Sequence, residues 1–349
     1  MFDLQDVIPV KAGIQPSNDK DRRGLSACPD DGLGFLAAIN APLSRSWSEG
    51  EAFAYCSRLT RSHYENFPVG SILIPGPIQP AIHSLYAFMR TADDFADEYR
   101  SPGDEAERLT YLKTWGQMLT ECEQGEPRHP VFIALKRTLQ QYRLPIQWLQ
   151  DLLHAFTLDV TVRRYEAYSD ILDYCRYSAN PVGRLILTLF GYRDEELYRL
   201  SDSICTALQL ANHWQDVSID LDKDRIYLPQ EDLKRFGVVF SPSSSAVDGS
   251  PAAAFGNDNM GKFRQLLAFE VARARELFSA GRPLPEKVRG RLRLELRMTW
   301  LGGVRVLDKI ERVHYDVFQR RPILTKMDWF WIGCRALLDP RQGRSGMTS

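Results

Sequence analysis

No pair of cysteines in this chain stands at C-x-x-C spacing. Cys28, Cys56, Cys122, Cys175, Cys205 and Cys334 are scattered singly, which argues against a zinc ribbon or a disulfide framework and fits a reducing compartment. Charge is equally uninformative in bulk. The 44 Lys and Arg nearly cancel 45 Asp and Glu, for a formal net charge of −1, so nothing favours a nucleic-acid partner. There is no apolar run approaching the ~18 residues of a membrane span, and the start MFDLQDVIPVKAGIQ lacks the basic head and apolar core of a signal peptide. The expected setting is cytoplasmic, with peripheral contact at the inner face of the plasma membrane left open. Period-two strand patterns, fixed-period repeats and a G-x-G-x-x-G after a strand are missing too.

What the chain does contain is apolar material at helical spacing: 44% of the 349 residues are hydrophobic, enough for a large core. The period predicts helices over about 47–66, 79–99, 104–124, 130–142, 146–164, 168–178, 182–190, 195–221, 261–280, 286–319 and, briefly, 327–337. Pro and Gly fall mostly at the joints. Residues 1–45 mix Pro, Gly, Asp and Ser without periodicity and read as a disordered leader. The Ser-, Pro- and Gly-rich 238–260 reads as a flexible loop, and 341–349 as a disordered tail. The expected fold is all-α, one domain over 46–340.

Two helical stretches carry acids where burial is expected. In LANHWQDVSIDLDKDRIYLP, Asn212, Asp216 and Asp220 are four apart. Positions four apart differ by about 40° around a helix, so the three form a column about 12 Å long. In YAFMRTADDFADE, Tyr86, Arg90, Asp93 and Asp97 share a face in the same way. One D-x-x-x-D pair is usually a solvated face. Two such columns in apolar helices suggest a further purpose, because like charges at this spacing repel and something must offset them. Oxygen-only donors suit a hard cation such as Mg²⁺, which binds one or two carboxylates together with substrate phosphates.

These stretches carry a family resemblance. DDFAD (Asp93–Asp97) and NHWQDVSIDLDKDRIYLP (Asn212–Pro229), with HYENF (His63–Phe67) and YCRYSANPVG (Tyr174–Gly183), resemble motifs of the head-to-head trans-isoprenyl diphosphate synthases: squalene, dehydrosqualene and phytoene synthases. The likeness runs from about Ser46 to Arg321. HYENFPVGS, YCRYSANPVGRL, ANHWQDV and TWLGGVRVLDKIE look most like the bacterial hydroxysqualene synthases of the hopanoid pathway. Two departures from the broader family, Gln215 where many relatives have Arg and the Gly302–Gly303 pair where Tyr is frequent, look like marks of that branch. They put the first condensation half-reaction in doubt more than diphosphate ionisation.

The resemblance implies a type I isoprenoid synthase bundle around a central cavity. Its expected reaction is the Mg²⁺-dependent conversion of presqualene diphosphate to hydroxysqualene without NADPH. Asp93, Asp97, Asn212, Asp216 and Asp220 would coordinate the metal, directly or through water. Arg90 and Arg225 would contact diphosphate oxygens, where the guanidinium fork fits; a surface pairing of Arg225 with Asp222 or Asp224 is the alternative, and His63 is a further phosphate candidate. Tyr86 and Tyr174, followed by Phe67 and Tyr227, would stabilise a carbocation with their ring faces. Asn180, beside Pro181, would open its helix near the pocket. Presqualene diphosphate synthase and a hydroxysqualene reductase are the implied pathway neighbours. The competing readings are a sister synthase making presqualene diphosphate, dehydrosqualene or phytoene, and a non-catalytic assembly-factor relative. DWFWIGCRALL (Asp328–Leu338) closes the core or touches a membrane interface.

Overall fold

The computed structural model describes residue 43 and residues 45–62, 73–97, 105–240 and 257–338. The helices are α1 Glu49–Ser62, α2 Gln79–Asp97, α3 Glu105–Gln124, α4 Pro130–Tyr142, α5 Gln147–Thr161, α6 Tyr168–Ser178 and α7 Asn180–Leu189. They continue with α8 Glu195–Gln215, α9 Val217–Asp222, α10 Gln230–Phe236, α11 Asn257–Gly281, α12 Leu284–Lys287, α13 Gly290–Arg312 and α14 Lys326–Leu338. The fold is all-α. The nearest thing to a sheet among the described residues is one parallel bridge between Arg164 and Ile226.

Two apolar cores organise these helices. The first gathers Phe88, Phe95, Trp115, Leu119, Phe132, Leu135, Leu149 and Leu152 from α2–α5. The second gathers Tyr174, Leu208, Trp214, Phe263, Phe278, Leu292 and Leu307 from α6, α8, α11 and α13. Two helices serve both cores. On α5, Phe156 and Val160 face the first and Ala155 the second. On α7, Val182 and Leu185 face the first and Leu187 the second. The packing order is therefore α2 on α5, α5 on α7 and α7 on α8. The two acid-bearing helices, α2 and α8, thus belong to different cores.

Close approach depends on glycines at several points, Gly183 and Gly303 among them. A Cβ at Gly183 would lie 2.3 Å from Ser201 Oγ and 2.6 Å from Cys205 Sγ, so α7 could not rest on α8 as it does. One at Gly303 would lie 2.3 Å from Phe278 Cζ and 2.7 Å from Leu208 Cδ2. This gives the glycine pair of α13 a packing reason: it lets that helix press on α8 and α11.

Several boundaries differ from the periodicity. The expected helix 195–221 breaks at Asp216 (φ −105°, ψ 14°) into α8 and α9. The expected 286–319 is α12 and α13, divided where Gly290 takes φ +64°; beyond α13, His314 and Tyr315 also have positive φ. Helix α5 ends at Thr161, because 163–166 runs extended beside 226–231: Ile226 N donates to Arg163 O and Gln230 N to Tyr165 O. Helix α7 begins at Asn180, and α10 has no counterpart in the periodicity. Helix α11 begins at Asn257, inside the expected loop 238–260. The Asn259 amide reaches back to Val239, donating to its O at 2.7 Å and accepting from its N at 3.2 Å. The remainder of that loop, most of 1–45 and all of 341–349 lie outside the described residues.

Candidate active site

On α2, Tyr86 and Arg90 are buried. Tyr86 belongs to neither apolar core. The Arg90 guanidinium is held by its own helix, against Asp93 at 3.6 Å and in closer contact with Asp94. Sequence spacing pointed to Asp93 and Asp97 and passed over Asp94, which is one turn on from Arg90 and takes the tighter contact. Asp97 ends the helix and its side chain lies outside the described residues, as do His63 and Phe67 entirely. From α3, Arg108 donates to Ala96 O at 2.8 Å, satisfying a carbonyl at the end of α2 that has no partner within the helix.

On α8 the second motif is arranged differently. Asn212 is buried, and its Oδ1 has no hydrogen-bond partner. A buried amide oxygen normally has one, so this atom is suited to a ligand. Asp216 sits at the helix break, buried, with its carboxylate gripped by Arg321 through Nε–Oδ1 at 2.6 Å and Nη2–Oδ2 at 3.2 Å. The next residue of this strap between α13 and α14, Pro322, accepts from Gln215 Nε2 at 2.6 Å. Gln215, expected as a branch mark, thus fixes the strap that carries Arg321. Asp220 is half-buried on α9, and its carbonyl accepts from Arg225 N at 2.8 Å. The straight three-residue column is therefore kinked at its middle member.

The bridge between 163–166 and 226–231 brings a group of rings together. Tyr227 stacks on His213 with centroids 3.7 Å apart and planes at 13°. Tyr165 stacks on Tyr227 at 5.7 Å, and Tyr174 lies 5.6 Å from Tyr165, 5.8 Å from Tyr227 and 6.0 Å from His213. His213 Nε2 meets Gln209 Nε2 at 3.0 Å. Burial pushes the Tyr174 phenol well above its ordinary range, and Asp159, which accepts its hydroxyl hydrogen bond, pushes it further. Burial and then Asp159 raise the Tyr227 phenol too, against the opposing charge of Arg225. Tyr165 is likewise raised by burial, and its hydroxyl has no hydrogen-bond partner.

Sequence reasoning found Tyr174 and Tyr227 but missed Tyr165, Asp159 and His213. A signal for Asp159 existed: a lone acid in the apolar run AFTLDVTV. His213 lies inside a motif already singled out, but a ring between Asn212 and Asp216 faces another side of the helix. Arg225 is buried beside Tyr165 and Tyr227. The surface alternative fails for Asp224, whose carboxylate pairs with Arg164 at 2.5 Å. Asn180 Oδ1 accepts from Thr206 Oγ1 at 3.0 Å, so its side chain ties α7 to α8.

Among the described residues, no three His, Cys, Asp or Glu side chains are gathered closely enough to hold a metal ion. The donor set nevertheless fits a hard divalent cation. It is all oxygen, with one orphaned amide oxygen at Asn212 and carboxylates at Asp93 and Asp216 that already sit against cationic groups, Arg90 and Arg321.

The squalene/phytoene synthase family model matches residues 60–328. The chain belongs to the squalene/phytoene synthase family. It is thereby a head-to-head prenyltransferase-like enzyme. It is 36% identical over 262 residues to a hydroxysqualene synthase of Rhodopseudomonas palustris, covering 72% of this chain and 83% of that one. It is 40% identical over 176 residues to a hydroxysqualene synthase of Zymomonas mobilis, covering 50% of this chain and 57% of that one. Among solved structures, squalene synthase HpnC from Alicyclobacillus acidocaldarius superposes with a TM-score of 0.67 at 38% identity, over 80% of this chain and 98% of that one. A dehydrosqualene synthase at 21% identity shares the fold with a TM-score of 0.69, over 83% and 96%.

Proposed function

We propose that this chain converts presqualene diphosphate and water into hydroxysqualene, diphosphate and a proton, with Mg²⁺ as its cofactor and no NADPH. One observation carries the chemistry: the buried group of Tyr165, Tyr174, Tyr227 and His213 adjoins the Asn212–Asp216–Asp220 motif, since His213 follows Asn212 directly. Relatives named hydroxysqualene synthase support the choice of product.

In this reading Asp93, Asp97, Asn212, Asp216 and Asp220 hold Mg²⁺, which when bound draws off charge from the departing diphosphate as a Lewis acid and template. Arg90 and Arg225 contact the diphosphate in this reading; both are buried, where a charge-assisted hydrogen bond is strong. Ionisation breaks the carbon–oxygen bond to diphosphate and leaves a cyclopropylcarbinyl cation. The ring of Tyr174 stabilises it, while Tyr227, stacked on His213, backs that ring. A phenol is neutral at physiological pH, so such a ring offers an electron-rich face without an anionic oxygen that could trap the cation. Asp159 holds the Tyr174 proton in place. Water then adds to the rearranged cation and loses a proton.

The test is an assay with Mg²⁺ and no NADPH, with farnesyl diphosphate in one tube and presqualene diphosphate in another, read by mass spectrometry. Hydroxysqualene from presqualene diphosphate alone is expected. Presqualene diphosphate, dehydrosqualene or phytoene-like products would move the chain to a sister reaction. No turnover in either tube would favour a non-catalytic role.

A further inference from the structure

Helix α14 is apolar on two opposite sides. Its inner side carries Trp329, Ile332 and Ala336, all buried in the second core. Its outer side is also apolar. Of the five large hydrophobic side chains exposed among the described residues, four (Met327, Phe330, Trp331 and Leu337) belong to this one 13-residue helix. At helical spacing they fall, with Cys334, within an arc of about 120° directly opposite the buried side. Scattered exposed apolar residues need no explanation, but a concentrated stripe marks an interaction site.

The charges around the stripe identify the partner. Lys326 and Arg335, both exposed, lie one on each flank of the arc. The only acid of α14, Asp328, is turned inward, where Arg305 Nε at 2.8 Å and Lys309 Nζ at 2.6 Å hold it. Burial alone would raise that carboxyl, but Lys309, Thr325 and Arg305 keep it well below the ordinary range, so it stays ionised and committed to the core side. The outer face therefore presents apolar groups and positive charge only. Trp331 stands at the edge of the stripe under the Arg335 guanidinium, 4.9 Å from its ring centroid, with Arg305 at 5.2 Å. An indole between apolar and cationic neighbours is the arrangement favoured at a lipid headgroup boundary.

We propose that α14 is a membrane-docking helix that lies in the plane of an anionic lipid surface, with Met327, Phe330, Trp331 and Leu337 inserted and Lys326 and Arg335 at headgroup level. A second copy of the chain fits less well. A two-fold contact through this stripe would bring cations together and supply no carboxylate to pair with them. Nor is any described helix long and apolar enough to cross a membrane, so attachment here is interfacial. The proposal does not depend on which diphosphate the enzyme takes.

The experiment is co-sedimentation of the full chain with vesicles, either phosphatidylcholine alone or phosphatidylcholine with 30 mol% phosphatidylglycerol (about the share that gives a strongly negative surface). The wild type is expected to partition onto the anionic vesicles at least tenfold better than onto neutral ones. Salt should weaken that preference. The double variant Met327→Ser/Phe330→Ser should lose at least tenfold in partition while its melting temperature stays within a degree or so, since both side chains are exposed. Lys326→Glu/Arg335→Glu should abolish the anionic preference. Unchanged partition in the serine variant would overturn the proposal. So would failure of the wild type to sediment with either vesicle, above all if light scattering shows a dimer that the serine variant dissolves.

Discussion

The two acidic stretches look alike in sequence and are held in different ways. In α2 the balancing cation comes from the same helix: Arg90 reaches Asp93 and Asp94 within a single turn. In α8–α9 the cation comes from 105 residues away, as Arg321 clamps Asp216 at the point where the helix breaks. The first stretch thus has a balancing cation within its own helix, although Arg108 of α3 still caps its end. The second is completed only when the segment after α13 has come back across it and Gln215 has caught Pro322. The same D-x-x-x-D spacing can therefore be balanced within its own helix or be the meeting point of remote chain segments.

The comparison breaks if the two stretches do not act together. Asp93→Asn and Asp216→Asn should each lower kcat/KM by about 10³-fold, the several kcal/mol expected from losing a charged ligand to a metal that stabilises the leaving group. Steady-state assays at saturating Mg²⁺ check this. If only one variant loses activity, the two acidic columns do not form one site.

It is sharpened by the clamp itself. Arg321→Ala leaves a buried carboxylate without its bidentate partner, which should cost about 3 kcal/mol of stability when no metal is present. Divalent metal and Arg321 compete for Asp216 in this arrangement, so Mg²⁺ should raise the melting temperature of the variant more than that of the wild type. Arg90→Ala should show a smaller metal-dependent recovery, since Asp93 and Asp94 share the loss. Equal Mg²⁺ shifts in all three proteins would show that the clamp does not cover the metal ligand.

Local pattern carried the all-α fold, most helix positions and both acidic motifs, because those depend on periods of 3.6 residues and spacings of four. It could not carry the pairing of Asp216 with Arg321 or the gathering of Tyr165, Tyr174, Tyr227 and His213, which depend on where an extended stretch returns after a turn. Asp216 shows the limit well. Its spacing from Asn212 and Asp220 was legible and its chemistry followed. The helix break at that residue was not, because LANHWQDVSIDL has no Pro or Gly to mark it. Tertiary contact with the Arg321 strap accompanies the break there. Helix α10 was missed for a related reason: seven residues with a short apolar face are too few for a periodic signal.

The tight second half should also be less tolerant of added volume. Gly303→Ala places a methyl against Phe278 and Leu208, two side chains fully or nearly fully buried, and overpacking of this kind costs about 1–3 kcal/mol. Gly116→Ala in α3 is the matched control in the first half. Its nearest neighbour would be Leu153 Cδ1 at 3.6 Å, an ordinary contact, and alanine favours helix over glycine by about 1 kcal/mol. Chemical denaturation should show the first destabilised and the second unchanged or improved. Similar losses at both sites would mean that packing does not distinguish the halves.

A last comparison is a pH dependence at one site of the second half. Glu295 on α13 has its carboxyl pushed up to about 7 by burial, and its Oε2 has no hydrogen-bond partner. The folded state therefore holds that proton more tightly than the unfolded chain, whose carboxyl titrates near its ordinary value. The stabilisation is fully present below about pH 4.5, falls as pH rises toward 7 and is gone above it. Glu295→Gln removes the titration, so this variant should gain on the wild type steadily between about pH 5 and 7.5. Denaturation midpoints at several pH values read the difference. A gap that stays constant with pH would mean that Glu295 is ionised at its ordinary pH, and that the second half carries its acids as comfortably as α2 carries Asp93 and Asp94.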